Sequence, residues 1–368
     1  MPSIPSGGRD AGLTPSASPA VAPLQAPSVI TPPPLRVGLI GCGYWGAKLA
    51  RNFHALPEAR LVALADLDPL RREHAARHYP DARVVDDHRQ LLGSDTDALV
   101  IATPPSTHAA LAIEALEAGK HVLVEKPLAT SVEAADAIIA AAARAGRTLM
   151  VGHTFVYNPA VELLRQLVQS GELGRVYYIH ATRVNLGICQ SDINVLWDLA
   201  PHDLSILIMT LGAAPTGVRA HGHAYLRPGI EDVAWLTLDF PDGSLAHVHA
   251  SWLDPCKIRR VTVVGDRKMA VYDDLAPLDK ITVYDRGIDV PPYTDTFGEF
   301  QLSYRYGDVH SPRLDWVEPL KRECAHFVAC ARDGGQPRSS GCEGREVVAI
   351  LEAADRSLHA DGARVALT

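Results

Sequence analysis

LRVGLIGCGYWG, Leu35 to Gly46, decides the fold. A short apolar, β-rich run ends on glycines, and a helical pattern, AKLARNFHAL, follows at once. Gly41, Gly43 and Gly46 stand in G-x-G-x-x-G spacing. The spacing alone says little. Between a strand and a helix it reads as a dinucleotide turn. The first glycine permits the tight turn, the second lets a pyrophosphate approach the backbone, and the third lets helix and strand pack closely. The N-terminus of the helix then offers free N–H groups and a positive dipole end to the phosphates. A glycine turn that binds nothing is the alternative.

Outward from this turn, short apolar runs alternate with helical patterns: RLVALAD, DALVIAT, HVLVEKP and TLMVGH are separated by PLRREHAARHY, STHAALAIEALEAG and SVEAADAIIAAAARAG. Such alternation predicts βαβ units and a doubly wound parallel sheet over residues 35–152. Asp66 ends the second run, where a carboxylate accepts hydrogen bonds from the adenosine ribose and repels a 2′-phosphate. NAD is therefore expected over NADP, while Arg71 and Arg72 keep NADP open. The expected cofactor-binding set is Gly41, Gly43, Tyr44, Trp45, Gly46 and Asp66, with Thr103, Pro104 and His108 of ATPPSTH and Glu125 of EKP. ATPPSTH and EKP both end strands, and ligands of parallel sheets bind beyond the carboxyl ends of the strands. Lys126 projects into the same crevice. A solvated strand-end lysine is the plainer reading.

After residue 152 the pattern changes. Helical stretches flank a series of strand-like runs, among them RVYYIHATRVN, DVAWLTLDF, SLAHVHASW and IRRVTVVGD, with turns such as PDG between some of them. Residues 153–368 are expected to form an α+β unit with a large, mostly antiparallel open sheet. His221, His223, His247 and His249 alternate along strands. A metal site is conceivable there, but ordinary polar-face histidines are the favoured reading.

Within this half, VLWDLAPHDLSIL (Val195–Leu207) is mostly apolar, yet it carries Asp198 and His202 four residues apart. On a helix these two share a face. Pro201 favours a helix beginning near Asp198, because proline is tolerated in a first turn. The pair then sits at the helix mouth, and LSILIMTL carries the burial. An imidazole there suits acid–base work on a hydroxyl. A capping aspartate and a satisfied core histidine would look the same in sequence.

Bulk composition narrows the function. The 368 residues carry a net charge of −8, which disfavours nucleic acid and anionic membranes as partners. No apolar run is long enough to span a bilayer. Six cysteines without a C-x-x-C pair read as free thiols in a reducing cytoplasm. Residues 1–34, rich in Pro, Ala, Ser and Gly, read as a disordered tail with no secretory signal.

GCGYWG, ATPPSTH, EKP and the D-x-x-x-H element together resemble the glucose–fructose oxidoreductase/inositol dehydrogenase family, Gfo/Idh/MocA, from Leu35 onward. The resemblance implies a dehydrogenase whose catalytic group is Lys126, Asp198 and His202 beside the nicotinamide. It also implies a cis bond before Pro127, and substrate contacts near Tyr157 and Asn158. An open sheet covered by another subunit, in a homodimer or homotetramer, is implied as well. Arg183 is a further candidate, as a fork of donors for a diphosphate. WDLAPHDLSIL and SWLDPCKIRRVTVVGDRKMAVYDD are similar to members acting on UDP-linked amino sugars in surface-polysaccharide pathways. The implied substrate is a sugar nucleotide, such as UDP-N-acetylglucosamine or its uronate, oxidised at C3. A free polyol such as myo-inositol is the alternative, and a non-catalytic dinucleotide-binding regulator the third.

Overall fold

The computed structural model describes residues 33–187, 189–289 and 303–367. The expected tail, residues 1–34, lies almost wholly outside them. Six strands, β1 (Leu35–Ile40), β2 (Ala59–Ala65), β3 (Arg83–Val85), β4 (Ala98–Ile101), β5 (His121–Glu125) and β6 (Leu149–Gly152), form one parallel sheet in the order β3-β2-β1-β4-β5-β6. Helices α1 (Tyr44–Ala55), α2 (Pro69–His78), α3 (Arg89–Leu92), α4 (Pro105–Glu117) and α5 (Val132–Ala145) connect them. The order steps outward both ways from β1 and β4, so a crevice opens beyond their carboxyl ends. This is the doubly wound Rossmann arrangement. Side chains of β4 are buried on both faces, as a central parallel strand requires.

The second sheet contains β7 (Val176–Leu186), β8 (Gly217–His223), β9 (Val233–Asp239), β10 (Leu245–Ser251), β11 (Leu253–Gly265), β12 (Met269–Asp273), β13 (Ile281–Asp289), β14 (Ser303–His310) and β15 (Val365–Ala366). Their order is β14-β13-β12-β11-β7-β10-β9-β8-β15, antiparallel throughout except for the β10–β7 pair. Helices α6 (Pro159–Gln169), α7 (Val195–Leu211) and α9 (Gly341–Leu358) cover one face. The other face carries Tyr178, Trp235 and Leu245 in the open, with His249 stacked on Trp235 and His180 beside His247. Helix α8 (Pro319–Asp333) returns to the first sheet, where Phe327 meets Phe53 of α1 edge-on.

Helix α7 departs from the sequence reading. It starts at Val195, three residues before Asp198, and Pro201 lies inside it. The Asn194 side chain fixes the earlier start by accepting from the N–H groups of Leu196 and Trp197 at 3.1 and 3.3 Å. Proline cannot supply the N–H that would reach the Trp197 carbonyl. The next carbonyl, Asp198 O, receives the Lys126 ammonium at 2.7 Å. Among the described residues no helix is long and apolar enough to cross a membrane.

Candidate active site

At the glycine loop, conformation and space both favour a bound phosphate group. Gly41 has φ 93°, and a Cβ on Gly46 would stand 1.9 Å from the Gly41 carbonyl oxygen. A Cβ on Gly43 would meet only the Arg71 side chain, at 3.4 Å, so the backbone here is approachable. No side chain caps α1, which leaves its first-turn N–H groups for an anion. Asp66 accepts from Cys42 N at 2.6 Å and Asp68 N at 2.8 Å, one bond to each oxygen. Each oxygen keeps a second lone pair for a ribose hydroxyl. Arg71 lies against both Asp66 and Asp68, at 3.8 and 3.4 Å, which weakens its claim as a receptor for a 2′-phosphate. Gly41, Asp66, Arg71, Thr103, Pro104 and Thr107 line a cleft of about 880 Å³, of a size to hold the adenosine half of a dinucleotide. Burial beside Asp66 pushes the Cys42 thiol up to about 12, so it stays protonated and inert.

The remaining loop residues divide by position. Tyr44 is 82% exposed at the cleft mouth, with Lys48 over its ring. Trp45 points inward, and its indole N–H donates to the Glu125 carboxylate. Glu125 also accepts the Lys126 N–H at 3.2 Å, and burial raises its pKa. His108 is fully buried between the carbonyls of Thr103 and Pro127, at 2.9 and 2.8 Å. Burial lowers its pKa, so the ring is neutral and donates to one carbonyl at a time. Trp45 and His108 therefore tie the loops together rather than offering their polar atoms to a ligand.

Lys126 ends β5, and its peptide bond to Pro127 is cis, as the resemblance implied. Its side chain is 18% exposed. Besides Asp198 O, it faces Asp198 Oδ1 at 3.8 Å. Burial lowers its pKa, against the pull of Asp198 and Glu125, and the charges of Arg183 and Arg259 add to the lowering. Asp198 is held from behind by the Trp252 indole N–H at 3.0 Å. It makes no hydrogen bond to His202, whose ring instead meets the edge of Phe155 at 5.0 Å. His202 Nδ1 is buried without a partner. Burial, then the charges of Lys126 and Arg183, hold His202 neutral. The site thus brings together a lysine with a depressed pKa, a neutral imidazole and a fixed carboxylate.

Three expected contacts belong to the scaffold instead. Tyr157 is buried, its hydroxyl within 3.1 Å of Ser339 Oγ. Asn158 caps α6 through Ala160 N and donates to the Tyr272 hydroxyl at 2.9 Å. Arg183, 2% exposed, holds Asp203 of α7 through two bonds of 2.8 and 2.9 Å, with its guanidinium over Phe155. Its Nε and Nη2 are committed to a buried ion pair, and Nη1 is buried without a partner, so the two-pronged fork is not offered to a diphosphate. Polar side chains beside a cleft look alike in sequence whether they turn outward or inward; here inward bonding won.

Two groups were missed. His153, directly after β6, is buried with neither ring nitrogen bonded. Glu323 of α8 is fully buried, accepts from Thr154 Oγ1 at 2.8 Å, and has its other oxygen unpartnered. Only MVGH, with an imidazole at the carboxyl end of the last strand of the parallel sheet, hinted at the first. Among the described residues no group of three His, Cys, Asp or Glu side chains is arranged to hold a metal ion.

Residues 35–153 match the model of the oxidoreductase family with an NAD-binding Rossmann fold, GFO_IDH_MocA, and residues 161–271 match the GFO/IDH/MocA C-terminal domain. A UDP-N-acetylglucosamine 3-dehydrogenase of Acidithiobacillus ferrooxidans is 33% identical, over 70% of this chain and 79% of its own. The solved structure of a UDP-N-acetylglucosamine 3-dehydrogenase from that organism superposes with a TM-score of 0.74 at 27% identity, over 89% of this chain and 98% of that one. An inositol 2-dehydrogenase of Paenarthrobacter aurescens is 36% identical, over 58% of this chain and 67% of its own. GenD2 from gentamicin A biosynthesis, solved in complex with NAD, has a TM-score of 0.76 at 26% identity, over 97% of this chain and all of that one.

Proposed function

Because the chain belongs to the Gfo/Idh/MocA family of NAD-binding dehydrogenases acting on CH–OH groups, we propose that it oxidises a secondary hydroxyl, at C3, of a nucleotide-linked amino sugar such as UDP-N-acetylglucosamine or its uronate, in surface-polysaccharide biosynthesis. One observation carries the catalytic part: Lys126, at the end of β5, is pinned to the Asp198 carbonyl, and its charge acts on the imidazole of His202 one helical turn further along α7. NAD, when bound, supplies the acceptor for the hydride that leaves the carbinol carbon. Lys126 or His202 takes the hydroxyl proton, and the other donates to the same oxygen as negative charge develops there. Asp198, immobilised by Trp252, offers its free lone pairs to a neighbouring sugar hydroxyl. The likeness to the 3-dehydrogenase supports the substrate class.

A free polyol is the second reading, and a specific observation favours it. Arg183, the expected diphosphate fork, is paired with Asp203. A second cation of this region is Arg259, opposite Arg183 in the β11–β7 register and held by Asp274 at only 3.5 Å. On the sugar-nucleotide reading, Arg259 meets the diphosphate. The open, aromatic-bearing face of the second sheet supports a homodimer or homotetramer, and the free thiols support a cytoplasmic protein.

The test is purification, identification of any retained dinucleotide by mass, and separate addition of UDP-N-acetylglucosamine, its uronate and myo-inositol with NAD. A nicotinamide absorbance change with either nucleotide sugar supports the first reading. Response to myo-inositol alone supports the second. Silence with every sugar, while NAD stays bound, sinks both.

A further inference from the structure

Oxidation of an alcohol releases one proton per turnover, and that proton must reach solvent. On the reading above, that proton starts on Lys126 or His202. The parallel β5–β6 register pairs Glu125 with Gly152, so Lys126 and His153 are the next residues along neighbouring strands. Phe155, two residues on, carries the His202 ring on its edge. His153 is 1% exposed, and both its nitrogens lack a partner. It also lines a second cavity, of about 320 Å³, walled by Ser205, Met209, Ser339, Glu343 and Glu346. Ser205 donates to the His202 carbonyl at 2.8 Å, so this cavity and the catalytic imidazole lie within one turn of α7. The volume is ample for several waters, and its walls offer hydroxyls and carboxylates to hold them.

We propose that His153 passes the substrate's proton from the Lys126–His202 end of the cleft to water in the cavity behind α7. A buried imidazole with two unbonded nitrogens is costly unless water or a transferred proton uses them. The step balances. The C–H bond breaks with its electron pair going to the nicotinamide, and the O–H bond breaks as the carbonyl forms. The proton moves from Lys126 or His202, through water, to the free nitrogen of neutral His153. Both nitrogens are closed to water at rest, so the ring turns to bring the other nitrogen onto the cavity; its proton passes to water there, and return of the tautomer readies the ring. Burial, reinforced by the Lys126 charge, pushes His153 down to about 3, so it rests neutral with one nitrogen able to accept and one able to donate. His153 acts through Lys126 and His202 and touches no substrate.

The experiment rests on the functional reading, and wild-type turnover of one of the three sugars is its first arm. His153→Phe is then compared with wild type for kcat, KM, NAD retention and solvent deuterium isotope effect. A kcat lower by roughly 10- to 100-fold, with KM and NAD retention unchanged and a larger solvent isotope effect, supports the relay. So does partial recovery of His153→Gly by added imidazole. If His153→Phe fails to fold, His153→Gln is read by the same criteria. Turnover by the variant at wild-type speed overturns the relay alone. So does a loss that imidazole does not restore and that matches a loss of NAD retention. No turnover by wild type with any sugar overturns the functional reading, and the relay with it.

Discussion

The glycine loop and the surroundings of Lys126 differ in how their polar atoms are satisfied. Around the glycine loop, Asp66 accepts a bond at each oxygen, and His108 lies between two carbonyls and donates to one of them at a time. Around Lys126, buried atoms of His153, Arg183, His202, Arg259 and Glu323 have no partner among the described residues. No such orphan occurs before residue 153 in the described chain. On the proposed reading, recognition of the dinucleotide rests on backbone, glycine space and a fixed carboxylate. The chemical end keeps unsatisfied groups, which is costly unless substrate, water or a proton occupies them.

This contrast predicts that mutations at the two ends separate in their effects. Lys126→Met should give the largest loss, about 100- to 10,000-fold in kcat, with NAD still retained; stopped-flow turnover and mass analysis of the bound dinucleotide check it. Asp66→Ala should act at the other end, weakening NAD roughly 10- to 100-fold through lost charged hydrogen bonds; NAD titration checks it. Arg259→Gln should raise KM for nucleotide sugars about tenfold, in line with one charged hydrogen bond, and leave myo-inositol kinetics unchanged. Trp252→Phe, which frees Asp198, should cost about fivefold in kcat.

A pH experiment sharpens the comparison further. His153 has a folded pKa pushed below its ordinary value of 6.5, to about 3. Below 6.5 the unfolded chain binds a proton that the folded chain refuses. The stability contribution is therefore whole above 6.5 and is lost as the pH falls toward 3, by about 1.4 kcal/mol per pH unit. The buried carboxyls of Glu125 and Glu323 have raised values and act in the opposite sense: their contribution is lost as the pH rises above the ordinary carboxylate range. The two trends overlap, so the difference between wild type and His153→Phe isolates the histidine. In urea unfolding between pH 5 and 6.5, the stability of wild type minus that of the variant should rise with pH by about that slope.

The parallel sheet was legible because buried parallel strands are continuous apolar runs, as ALVI of β4 shows. Strand β14, SYRYGDVH, gave no such signal. It is an edge strand whose described side chains are mostly exposed, so no buried face imprints its alternation. Asp198, His202 and Lys126 were singled out from spacing and strand ends, and in the structure Lys126 contacts Asp198, four residues before His202 on α7. The start of α7 was misjudged because Pro201 suggested a first turn while the Asn194 cap lay outside the pattern. Tyr157, Asn158 and Arg183 were misplaced because their partners, Ser339, Tyr272 and Asp203, are distant in sequence or on another element. Glu323 was beyond reach for the same reason, since its partner Thr154 precedes it by most of the second sheet.

The most direct measurement is single-turnover NAD reduction by wild type and Lys126→Met, each loaded with NAD and mixed with UDP-N-acetylglucosamine, its uronate or myo-inositol. The account predicts reduction by wild type with a nucleotide sugar, and NAD that stays bound but oxidised in the variant. Equal reduction by both proteins would contradict the assignment of the chemistry to the lysine end of the cleft.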